Sequence, residues 1–394
     1  MRRILIIVQN LPVPFDRRVW LECQALAGAG YDVCVVCPRG VRDRSYEVID
    51  GVQIYRYRSC APGRGAVGFI VEYAYSFLAT AWLVFRTRLG GPFEALQACN
   101  PPDIFWPIAL ALRTIDRTKF VFDHHDLCPE LYVSRFPGGS RLPYLALRWL
   151  ERRTYQTADK VIATNDSYRR MAIDRGGRQP RDVAVVRTGP DPDRLRRGPA
   201  DPRLRRGRPF LVAYLGVMGP QDGVDIVVRA AEIVVRKLGR EDIAFTLIGT
   251  GDCFDELVGL RDELGLGGHV AFTGRAPDEM VADILSTAHL GLSPDPSNPL
   301  NDLSTMNKVM EYMAFGLPIV AFDLLETRVS AGSAAVYVTP NDVREYAEAI
   351  VQLIDDPSRR KRLGELGRDL VERELAWAHQ VPAYIGVYRA LLGS

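Results

Sequence analysis

Short apolar runs alternate with amphipathic stretches from one end of the chain to the other. The apolar runs are rich in Val, Ile and Phe and have the length of strands that are buried on both faces. Between most of them, apolar residues recur every three or four positions, as on a helix that packs one side against a sheet. The predicted strands are Arg3–Val8, Asp32–Cys37, Lys119–Asp123, Lys160–Thr164, Val183–Val186, Phe210–Leu215, Ala244–Ile248, His269–Thr273, Leu290–Ser293 and Pro318–Phe322.

Strands that alternate with helices build parallel sheets from βαβ units. Both halves of the chain show this alternation, so the sequence predicts an α/β protein with two doubly wound, Rossmann-like domains that face a central cleft. The predicted helices include Val19–Gly28, Asp225–Leu238, Cys253–Leu264 and Lys308–Gly316, and a last helical stretch, Ser358–Leu392, that is broken at Pro382.

The boundary between the domains shows in the composition of the chain. Residues 188–208 contain four prolines, three glycines and seven arginines with almost no apolar side chain, which is typical of an exposed linker. We therefore predict an N-terminal domain over residues 1–190, a linker over 191–208 and a C-terminal domain over 209–375. The remaining helix, residues 376–394, is long enough to cross back to the first domain.

Composition narrows the classes of protein that fit. Of 394 residues, 47% are hydrophobic and 25% are charged, which is typical of a folded globular protein rather than a disordered or fibrous one. The net charge of +2 is too small to predict nucleic acid as an obligate partner. Seven scattered cysteines favour a reduced, cytoplasmic compartment, and Cys34 and Cys37, inside a strand pattern, are predicted to be core thiols.

One apolar segment leaves alternatives open. Residues 66–85 carry a single charge, Glu72, and are flanked by Arg64, Arg86 and Arg88. The length suffices for a membrane-spanning helix, but Glu72 and several Tyr, Ser and Thr residues weigh against insertion. A buried helix of the first domain is the favoured interpretation, and a helix that lies on the inner face of a membrane is the alternative.

Ligands of doubly wound folds lie at the carboxyl ends of the strands. After the predicted strand Phe210–Leu215 comes a turn with Gly216, Gly219 and Gly223, and after Ala244–Ile248 comes Gly249-Thr-Gly251. Such turns let backbone N–H groups approach a phosphate, although many strand-to-helix turns carry glycine for steric reasons alone. Neither turn is a GxGxxG fingerprint, which disfavours a nicotinamide cofactor.

The segment 301–328 is the richest in candidate chemistry. Ser304 or Thr305 is predicted to cap a helix that ends near Phe315, with Asn307, Lys308 and Glu311 in its first turns. A lysine is unfavourable near a helix N-terminus unless an anion binds there. Glu311, one turn further on, is placed to accept hydrogen bonds from a ribose diol. The pattern predicts a nucleoside-diphosphate site, and a plain Lys308–Glu311 ion pair is the alternative.

In the first half, charged residues follow two predicted strands. His124, His125, Asp126 and Glu130 come after one of them, and Asp16, Arg17 and Arg18 come after the first strand. The spacing supports no metal site, and since neighbouring strand residues face opposite sides, one histidine is predicted to be structural. The other residues are predicted to bind hydroxyl groups or, through Arg17 or Arg18, an anion.

These features together resemble a known family, the retaining nucleotide-sugar glycosyltransferases of the GT-B fold, family 4 or group 1. The likeness runs over nearly the whole chain, and its most specific stretch is residues 307–320. The other matching motifs are 16–19, 30–33, 125–126 with 129–130, 158–162, 189–191, 214–216 with 223, 249–251 and 272–274.

The resemblance implies roles for single residues. The second domain would bind the donor and the first the acceptor, with no metal or further cofactor. Glu311 would hold the ribose, Lys308 would add positive charge, and His125 would lie beside the transferred sugar. The resemblance places the donor at Gly216, Gly219, Gly251, Arg275, Thr305, Met306, Asn307, Lys308 and Glu311, and the acceptor at Asp16, Arg17, Arg18, Asp126 and Glu130. Retention would follow from front-face attack, in which the donor phosphate takes the acceptor proton.

Two departures from the family pattern matter. The family pairs two acidic residues eight positions apart, but Leu303 stands eight before Glu311, and the usual Arg and Lys are missing from residues 216–223. The expected activity is transfer of a hexose-type sugar from a UDP-sugar to a lipid-linked glycan precursor or a small metabolite. A nucleotide-sugar 2-epimerase and a non-catalytic nucleotide-sugar-binding subunit remain alternatives, and the oligomeric state is open.

Overall fold

The computed structural model describes residues 2–60 and 65–393 and divides the chain into two compact units. The first unit contains the described chain up to Val133, then Gly138–Thr188, and then the chain from Gln380 onward. The second unit contains Ser134–Pro137 and Gly189–His379. The last residues of the chain therefore belong with the first unit.

The first unit is built on an eight-stranded sheet, counted over the described residues, of order β3-β4-β2-β1-β5-β6-β7-β8. Its strands are β1 Arg3–Ile7, β2 Asp32–Arg39, β3 Tyr46–Ile49, β4 Val52–Arg58, β5 Ala95–Cys99, β6 Lys119–His124, β7 Lys160–Ala163 and β8 Val183–Val185. Its helices are α1 Arg17–Gly28, α2 Gly65–Arg88, α3 Trp106–Asp116, α4 Cys128–Arg135, α5 Arg141–Thr157 and α6 Asp166–Asp174.

The centre of this sheet explains why its strands are continuous apolar runs. β1 pairs in parallel with β2 on one side and β5 on the other, and Ile4 to Ile7 are fully buried. Helices cover both faces of such a sheet, so no strand position can stay polar without a partner. Each of these side chains contributes about 1.5–3 kcal/mol through burial.

The second unit contains a six-stranded sheet of order β11-β10-β9-β12-β13-β14, with every pairing parallel. Its strands are β9 Phe210–Leu215, β10 Ile243–Ile248, β11 Val270–Gly274, β12 Leu290–Ser293, β13 Ile319–Phe322 and β14 Ala335–Val338. Its helices are α7 Val224–Glu232, α8 Phe254–Glu263, α9 Asp278–Thr287, α10 Asn307–Ala314, α11 Leu325–Ala331, α12 Val343–Asp355 and α13 Pro357–Leu370, and α14 Trp377–Leu392 ends the chain. Separate apolar clusters lie on the two faces of this sheet. The predicted fold class, two parallel-sheet Rossmann-like domains, is confirmed.

Several elements differ from the sequence prediction. β3, β4, β5 and β14 were not predicted, although Asp50-Gly51, which joins β3 to β4 with positive φ at both residues, is a strong two-residue hairpin signal. The predicted break at Pro382 is wrong, because α14 runs through it. The helical stretch breaks instead at Ala376, which is extended after a π-helical turn over Val371–Leu375.

The segment between the two sheets is mostly exposed, as predicted, but it is also bound to α9. Arg197 donates to the carbonyl oxygens of Ser286 and Ala288, at 3.2 and 2.9 Å. The backbone N–H of Gly198 donates to Ser286 Oγ at 2.9 Å, and that of Asp201 to Thr287 Oγ1 at 2.9 Å. The two bonds from Arg197 satisfy carbonyl groups at the C-terminal end of α9. Together the four bonds anchor the segment, so it is not a free linker.

Helix α2 differs from the favoured interpretation of a buried helix. Ser76, Thr80, Leu83, Val84 and Thr87 are buried, but Leu78 and Trp82 are 67% and 60% exposed. Within residues 2–60 and 65–393, no helix combines the length and apolarity that a membrane-spanning segment needs. Arg64, one of the flanking arginines, lies outside the described residues.

Candidate active site

The two predicted glycine turns, residues 216–223 and 249–252, lie against each other at the carboxyl ends of β9 and β10. The N–H of Gly216 donates to the Ile248 carbonyl oxygen at 3.0 Å, and that of Met218 to Thr250 at 3.1 Å. A Cβ at Gly249 would stand 1.8 Å from the Gly216 oxygen, and one at Gly251 would stand 2.6 Å from the Met218 oxygen. Two of these glycines are therefore required for the turns to meet, so the steric explanation accounts for them.

The third strand end at this edge carries Arg275. The N–H of Gly249 donates to the carbonyl oxygen of Gly274 at 3.1 Å, which joins the second glycine turn to the end of β11. Arg275 follows directly and is exposed. Three neighbouring strand ends of one sheet thus bring together four of the residues that the sequence placed around the donor, Gly216, Gly219, Gly251 and Arg275.

Helix α10 begins at Asn307 with Met306 as its N-cap, and no side chain caps it. The prediction of Ser304 or Thr305 as the cap is wrong. Ser304 instead ends a short 3-10 turn and donates its hydroxyl to the Leu300 carbonyl oxygen at 2.8 Å. Since no side chain occupies the N-terminus of α10, its first N–H groups and their partial positive charge are directed toward whatever binds there.

The Lys308 side chain is almost buried at this sheet edge instead of being exposed to solvent. Its ammonium donates to Asp295 Oδ1 at 2.5 Å, and the two side chains are only 9% and 2% exposed. The nitrogen also stands 5.2 Å from the centre of the Tyr214 ring. The proposed Lys308–Glu311 ion pair is therefore wrong, and Asp295 is a partner that the sequence analysis missed.

Asp295 follows β12 in Pro294-Asp295-Pro296, at the same sheet edge as the predicted residues. The rule that singled out the other strand ends could have found it. Burial would lower the pKa of Lys308, but the charges of Asp295 and Asp222 raise it. The ammonium stays charged and its charge is balanced within the protein.

Asp222 is the second carboxylate near Lys308. It accepts the N–H of Gly219 at 2.8 Å and so fixes the first glycine turn. Burial raises the pKa of Asp222 to about 6, and the neighbouring Asp295 adds to the rise while Lys308 opposes it. At neutral pH the three groups carry a net charge of −1, and one carboxylate of the edge changes charge close to physiological pH.

Glu311 lies half-buried one turn into α10, and the next residue holds the helix in place. The Tyr312 hydroxyl accepts the Leu215 N–H at 2.7 Å and donates to the Leu292 carbonyl oxygen at 3.1 Å. These bonds tie α10 to the ends of β9 and β12. Thr305 and Met306 are half-buried and Asn307 is exposed, so the start of the helix is accessible.

In the first unit, Arg18 joins most of the charged residues that were singled out. Its guanidinium donates to Asp123 Oδ1 at 2.9 Å and to the Val186 carbonyl oxygen at 3.0 Å, and it forms an ion pair with Glu22 at 3.0 Å. His125 Nε2 lies 2.6 Å from Asp123 Oδ2 and 3.0 Å from Arg18 Nε. We call Arg18, Glu22, Asp123 and His125 the Arg18 cluster.

The pKa values of Asp123 and Glu22, the two carboxyl groups of the Arg18 cluster, are shifted in opposite directions. Burial alone would raise the pKa of Asp123, but Arg18 and His125 hold it well below its usual range. Burial and the charge of Asp123 raise the pKa of Glu22 well above its usual range. Asp123 therefore releases its proton at a lower pH than Glu22 does.

A metal fits this cluster poorly. Ligand atoms of Glu22, Cys99, Asp123 and His125 lie within 4.8 Å of one another, which is close enough for one ion. However, Arg18 already forms ion pairs with both carboxyl groups, and burial raises the pKa of the Cys99 thiol well above its usual range. A cation would displace a guanidinium and would need a thiolate, so the donor set fits an arginine rather than a metal.

The other predicted first-unit residues have structural partners. Asp16 accepts the Val19 N–H at 3.1 Å and caps α1, while Arg17 is exposed at the start of that helix. Glu130 forms an ion pair with Arg175 at 2.5 Å. The backbone N–H of Asp126 donates to Asn100 Oδ1 at 3.1 Å, and its carboxyl group is half-buried.

His124 is the structural histidine of the pair. Its Nδ1 lies 3.0 Å from the Tyr155 hydroxyl, and its ring packs among Phe122, Tyr155 and Tyr168. Burial lowers its pKa to about 3, so it is neutral. Cys34 and Cys37 are buried free thiols, as the strand pattern predicted.

Asn100 and Gln97 also belong to this site but were not predicted, because β5 was not predicted. Asn100 Oδ1 accepts the N–H of His125 at 2.6 Å and holds the backbone at the end of β6. Gln97 donates to Glu22 at 2.7 Å and to Asp123 at 3.1 Å, and it accepts the Tyr384 hydroxyl of α14 at 2.9 Å. The C-terminal helix thus supports the Arg18 cluster through one amide.

Two family models match the chain. Residues 16–189 match the Glycosyl transferase 4-like domain, and residues 209–356 match Glycosyl transferases group 1. The chain is 27% identical over 254 residues to D-inositol 3-phosphate glycosyltransferase of Nocardia farcinica, covering 61% of this chain and 55% of that protein. It is 26% identical over 271 residues to alpha-D-kanosaminyltransferase of Streptomyces kanamyceticus, covering 66% and 68%. The first of these alignments thus spans only about half of its relative's length.

Solved structures share the architecture at low identity. Sucrose-phosphate synthase from Thermosynechococcus elongatus superposes over 100% of both chains with a TM-score of 0.82 at 17% identity. Anabaena HepE in complex with UDP-glucose covers 99% of this chain and 100% of its own, with a TM-score of 0.74 at 16% identity. The chain thus joins a glycosyltransferase 4-like domain to a group 1 domain, and it belongs to the GT-B glycosyltransferases.

Proposed function

We propose that the protein transfers a hexose or N-acetylhexosamine from a UDP-sugar to an acceptor hydroxyl, with retention of the anomeric configuration and without a metal. The observation that carries the proposal is the N-terminus of α10. It lacks a side-chain cap and starts at the sheet edge where Gly249 and Gly251 keep two turns in close contact. Backbone N–H groups in that arrangement suit a diphosphate.

Two observations bear on the donor nucleotide: the first favours a ribonucleotide, and the second favours UDP. Glu311 lies half-buried one turn beyond the uncapped start of α10, where a carboxylate would accept hydrogen bonds from a ribose diol. HepE, which has the same fold, is described in complex with UDP and with UDP-glucose. Arg275, exposed after β11, is the candidate neighbour of the base.

Metal independence is supported by how the nearby carboxylates are used. Asp295 binds the Lys308 ammonium, and Asp222 accepts the N–H of Gly219. Neither is free to hold a divalent cation in a diphosphate site. The leaving diphosphate would then be stabilised by backbone N–H groups and by the positive end of α10.

In the first unit, His125 is the candidate group for the transferred sugar. Its Nε2 lies 2.6 Å from Asp123 Oδ2, and the tautomer that donates there keeps Nδ1 as an acceptor for a sugar hydroxyl. In front-face substitution the donor phosphate takes the acceptor proton, so no separate general base is required of the protein. The acceptor is a lipid-linked glycan precursor or a small metabolite, and Asp126 with Arg17 are candidates for its binding.

A binding function without catalysis is the second candidate, and one observation favours it. The turn 216–223 lacks basic residues, and Lys308, which was expected to compensate, is neutralised by Asp295. Such a protein would bind UDP tightly without ever cleaving a UDP-sugar.

The two functions separate in one assay. The full chain is incubated with UDP-glucose, UDP-N-acetylglucosamine and GDP-mannose, each with EDTA or with magnesium, and release of the nucleoside diphosphate is followed by chromatography. We expect slow release from one UDP-sugar, unchanged by EDTA and lost in Glu311→Gln. The exposed Glu365→Gln on α13 is the matched control. UDP binding without release at high protein concentration would support the binding subunit, and a strict magnesium requirement would contradict the metal-independent reaction.

A further inference from the structure

Helix α2 presents a stripe of large apolar side chains to solvent. Val71, Tyr75, Leu78, Trp82 and Phe85 are all exposed, and their spacing of three and four residues places them on one side of the helix. The side chains that the helix buries, among them Thr80 and Val84, occupy the opposite side. The stripe therefore points away from the sheet.

Helix α5 presents a second stripe on the same face of the first unit. Leu142, Leu145 and Trp149 are exposed at helical spacing, whereas Glu151, Thr154 and Tyr155 of α5 are buried. α2 leads from β4 to β5 and α5 precedes β7, and in this strand order both connections run in the same direction. Right-handed crossovers put both helices on one face of the sheet.

Helix α3 links the two stripes. The Phe77 ring of α2 stacks on Phe105 at the start of α3, with centroids 6.5 Å apart. The Trp106 ring of α3 meets Trp149 of α5 edge to face at 6.0 Å. We call the exposed side chains of the two helices the α2–α5 face. Exposed apolar side chains in two stripes on one face of a domain mark an interaction site.

The charges around this face have one sign. Arg86 is exposed beside Trp82, with its guanidinium 5.2 Å from the indole ring, and Arg141 and Arg152 are exposed on α5. Among the described residues of α2 and α5, no exposed side chain is a carboxylate, since Glu72 is half-buried and Glu151 is buried. Apolar residues with Trp and Tyr, bordered by arginines, are the composition of a helix that lies in the headgroup region of a bilayer.

We propose that the α2–α5 face binds the surface of a membrane that contains anionic lipid. The apolar stripes enter the boundary between headgroups and acyl chains, and the arginines bind lipid phosphates. This inference is independent of the sugar transfer proposed above, because vesicle binding needs no donor and release of UDP needs no vesicle.

The test is flotation of the full chain with two kinds of vesicle, phosphatidylcholine alone and phosphatidylcholine with phosphatidylglycerol. We expect the protein to float with the anionic vesicles and to be released in part by high salt. Leu78→Glu with Trp82→Glu should reduce the bound fraction about tenfold. Arg141→Glu with Arg152→Glu should reduce binding to the anionic vesicles, and Leu366→Glu on α13, also at an exposed leucine, should leave binding unchanged.

Unfolding temperatures of all variants are compared first, and because the changed side chains are exposed we expect them to match the wild type. Three outcomes would overturn the proposal. The wild type fails to float with either vesicle, the Leu78 and Trp82 variant floats as well as the wild type, or light scattering shows a dimer that this variant dissociates while vesicles bind neither protein. The last outcome would assign the face to a second copy of the chain.

Discussion

Lys308 shows how a residue can be singled out correctly and still have another partner than expected. Its place near a helix N-terminus suggests an anion, and an anion is indeed bound to it, but that anion is the buried Asp295. The two residues are thirteen positions apart in sequence. They meet only because β12 ends and α10 begins at the same sheet edge. Helical spacing points to neighbours three or four residues away and cannot show such a partner.

The Lys308–Asp295 pair can be tested by stability. Lys308→Ala leaves the buried Asp295 carboxylate without a cation and with the Ser293 hydroxyl as its donor, so the free energy of unfolding should fall by about 3 kcal/mol. Adding Asp295→Asn to Lys308→Ala should recover much of the loss, because the uncompensated charge is removed. Urea denaturation of the two variants measures this. Loss of UDP affinity in Lys308→Ala with unchanged stability would show instead that the ammonium serves the ligand.

Asp222 gives the donor edge a pH dependence. Its pKa is raised from its ordinary value to about 6 by burial, so the folded protein holds the proton more tightly than the unfolded chain. The free energy of unfolding should therefore fall as the pH rises from about 4 to about 6 and stay constant above, a loss of about 3 kcal/mol.

Asp222→Asn keeps an acceptor for the Gly219 N–H and removes the titration. Denaturation at pH 4.5, 6 and 7.5 should show that this step is absent in the variant and present in Asp225→Asn, which changes an exposed carboxylate on α7. An equal pH dependence in wild type and Asp222→Asn would mean that another group titrates.

At the scale of elements, the sequence was informative where a feature is local. The strands that were predicted and the position of α10 follow from apolar runs and helical spacing, and these patterns are set by burial on a sheet. The α10 cap could not be predicted, because Ser304 and Thr305 are both good N-cap residues and a preceding 3-10 turn decides that neither caps. β5 was not predicted because Gln97 interrupts its apolar pattern with a polar side chain. In the structure Gln97 is buried between β1, β6 and α14.

Because the two glycine turns are in contact, we predict that one methyl group added at Gly249 strongly lowers the stability of the protein. Gly249→Ala places a Cβ 1.8 Å from the Gly216 carbonyl oxygen at a φ of +133°, so the turns must separate. We expect a loss of about 2–4 kcal/mol in unfolding free energy, together with loss of UDP binding.

Gly259→Ala is the matched control for this change. Gly259 lies within α8 with open space around it, so an added methyl group should be neutral or stabilise by up to about 1 kcal/mol. Unaltered UDP affinity in a folded Gly249→Ala variant would contradict the role of the two turns.

At the scale of the whole molecule, the fold class was predictable because the alternation of strands and helices is a property of the entire chain. Each unit has its own sheet and its own core, and the first unit is completed by residues from Gln380 onward. The Tyr384 and Tyr388 hydroxyls of α14 both donate to Gln97, the amide that holds Glu22 and Asp123. Such long-range support of a site depends on tertiary packing that a single sequence does not show.

The proposed function depends above all on the binding of a nucleoside diphosphate at the start of α10. The most direct measurement is the unfolding temperature of the full chain with UDP, GDP, dTDP and ADP, for the wild type, Glu311→Ala and the exposed-site control Glu365→Ala. We predict that UDP, at about 100 times its dissociation constant, raises the unfolding temperature of the wild type and of Glu365→Ala by about 5 °C or more. Glu311→Ala should lose most of that rise. No rise with any nucleotide, or an equal rise in Glu311→Ala, would contradict the account.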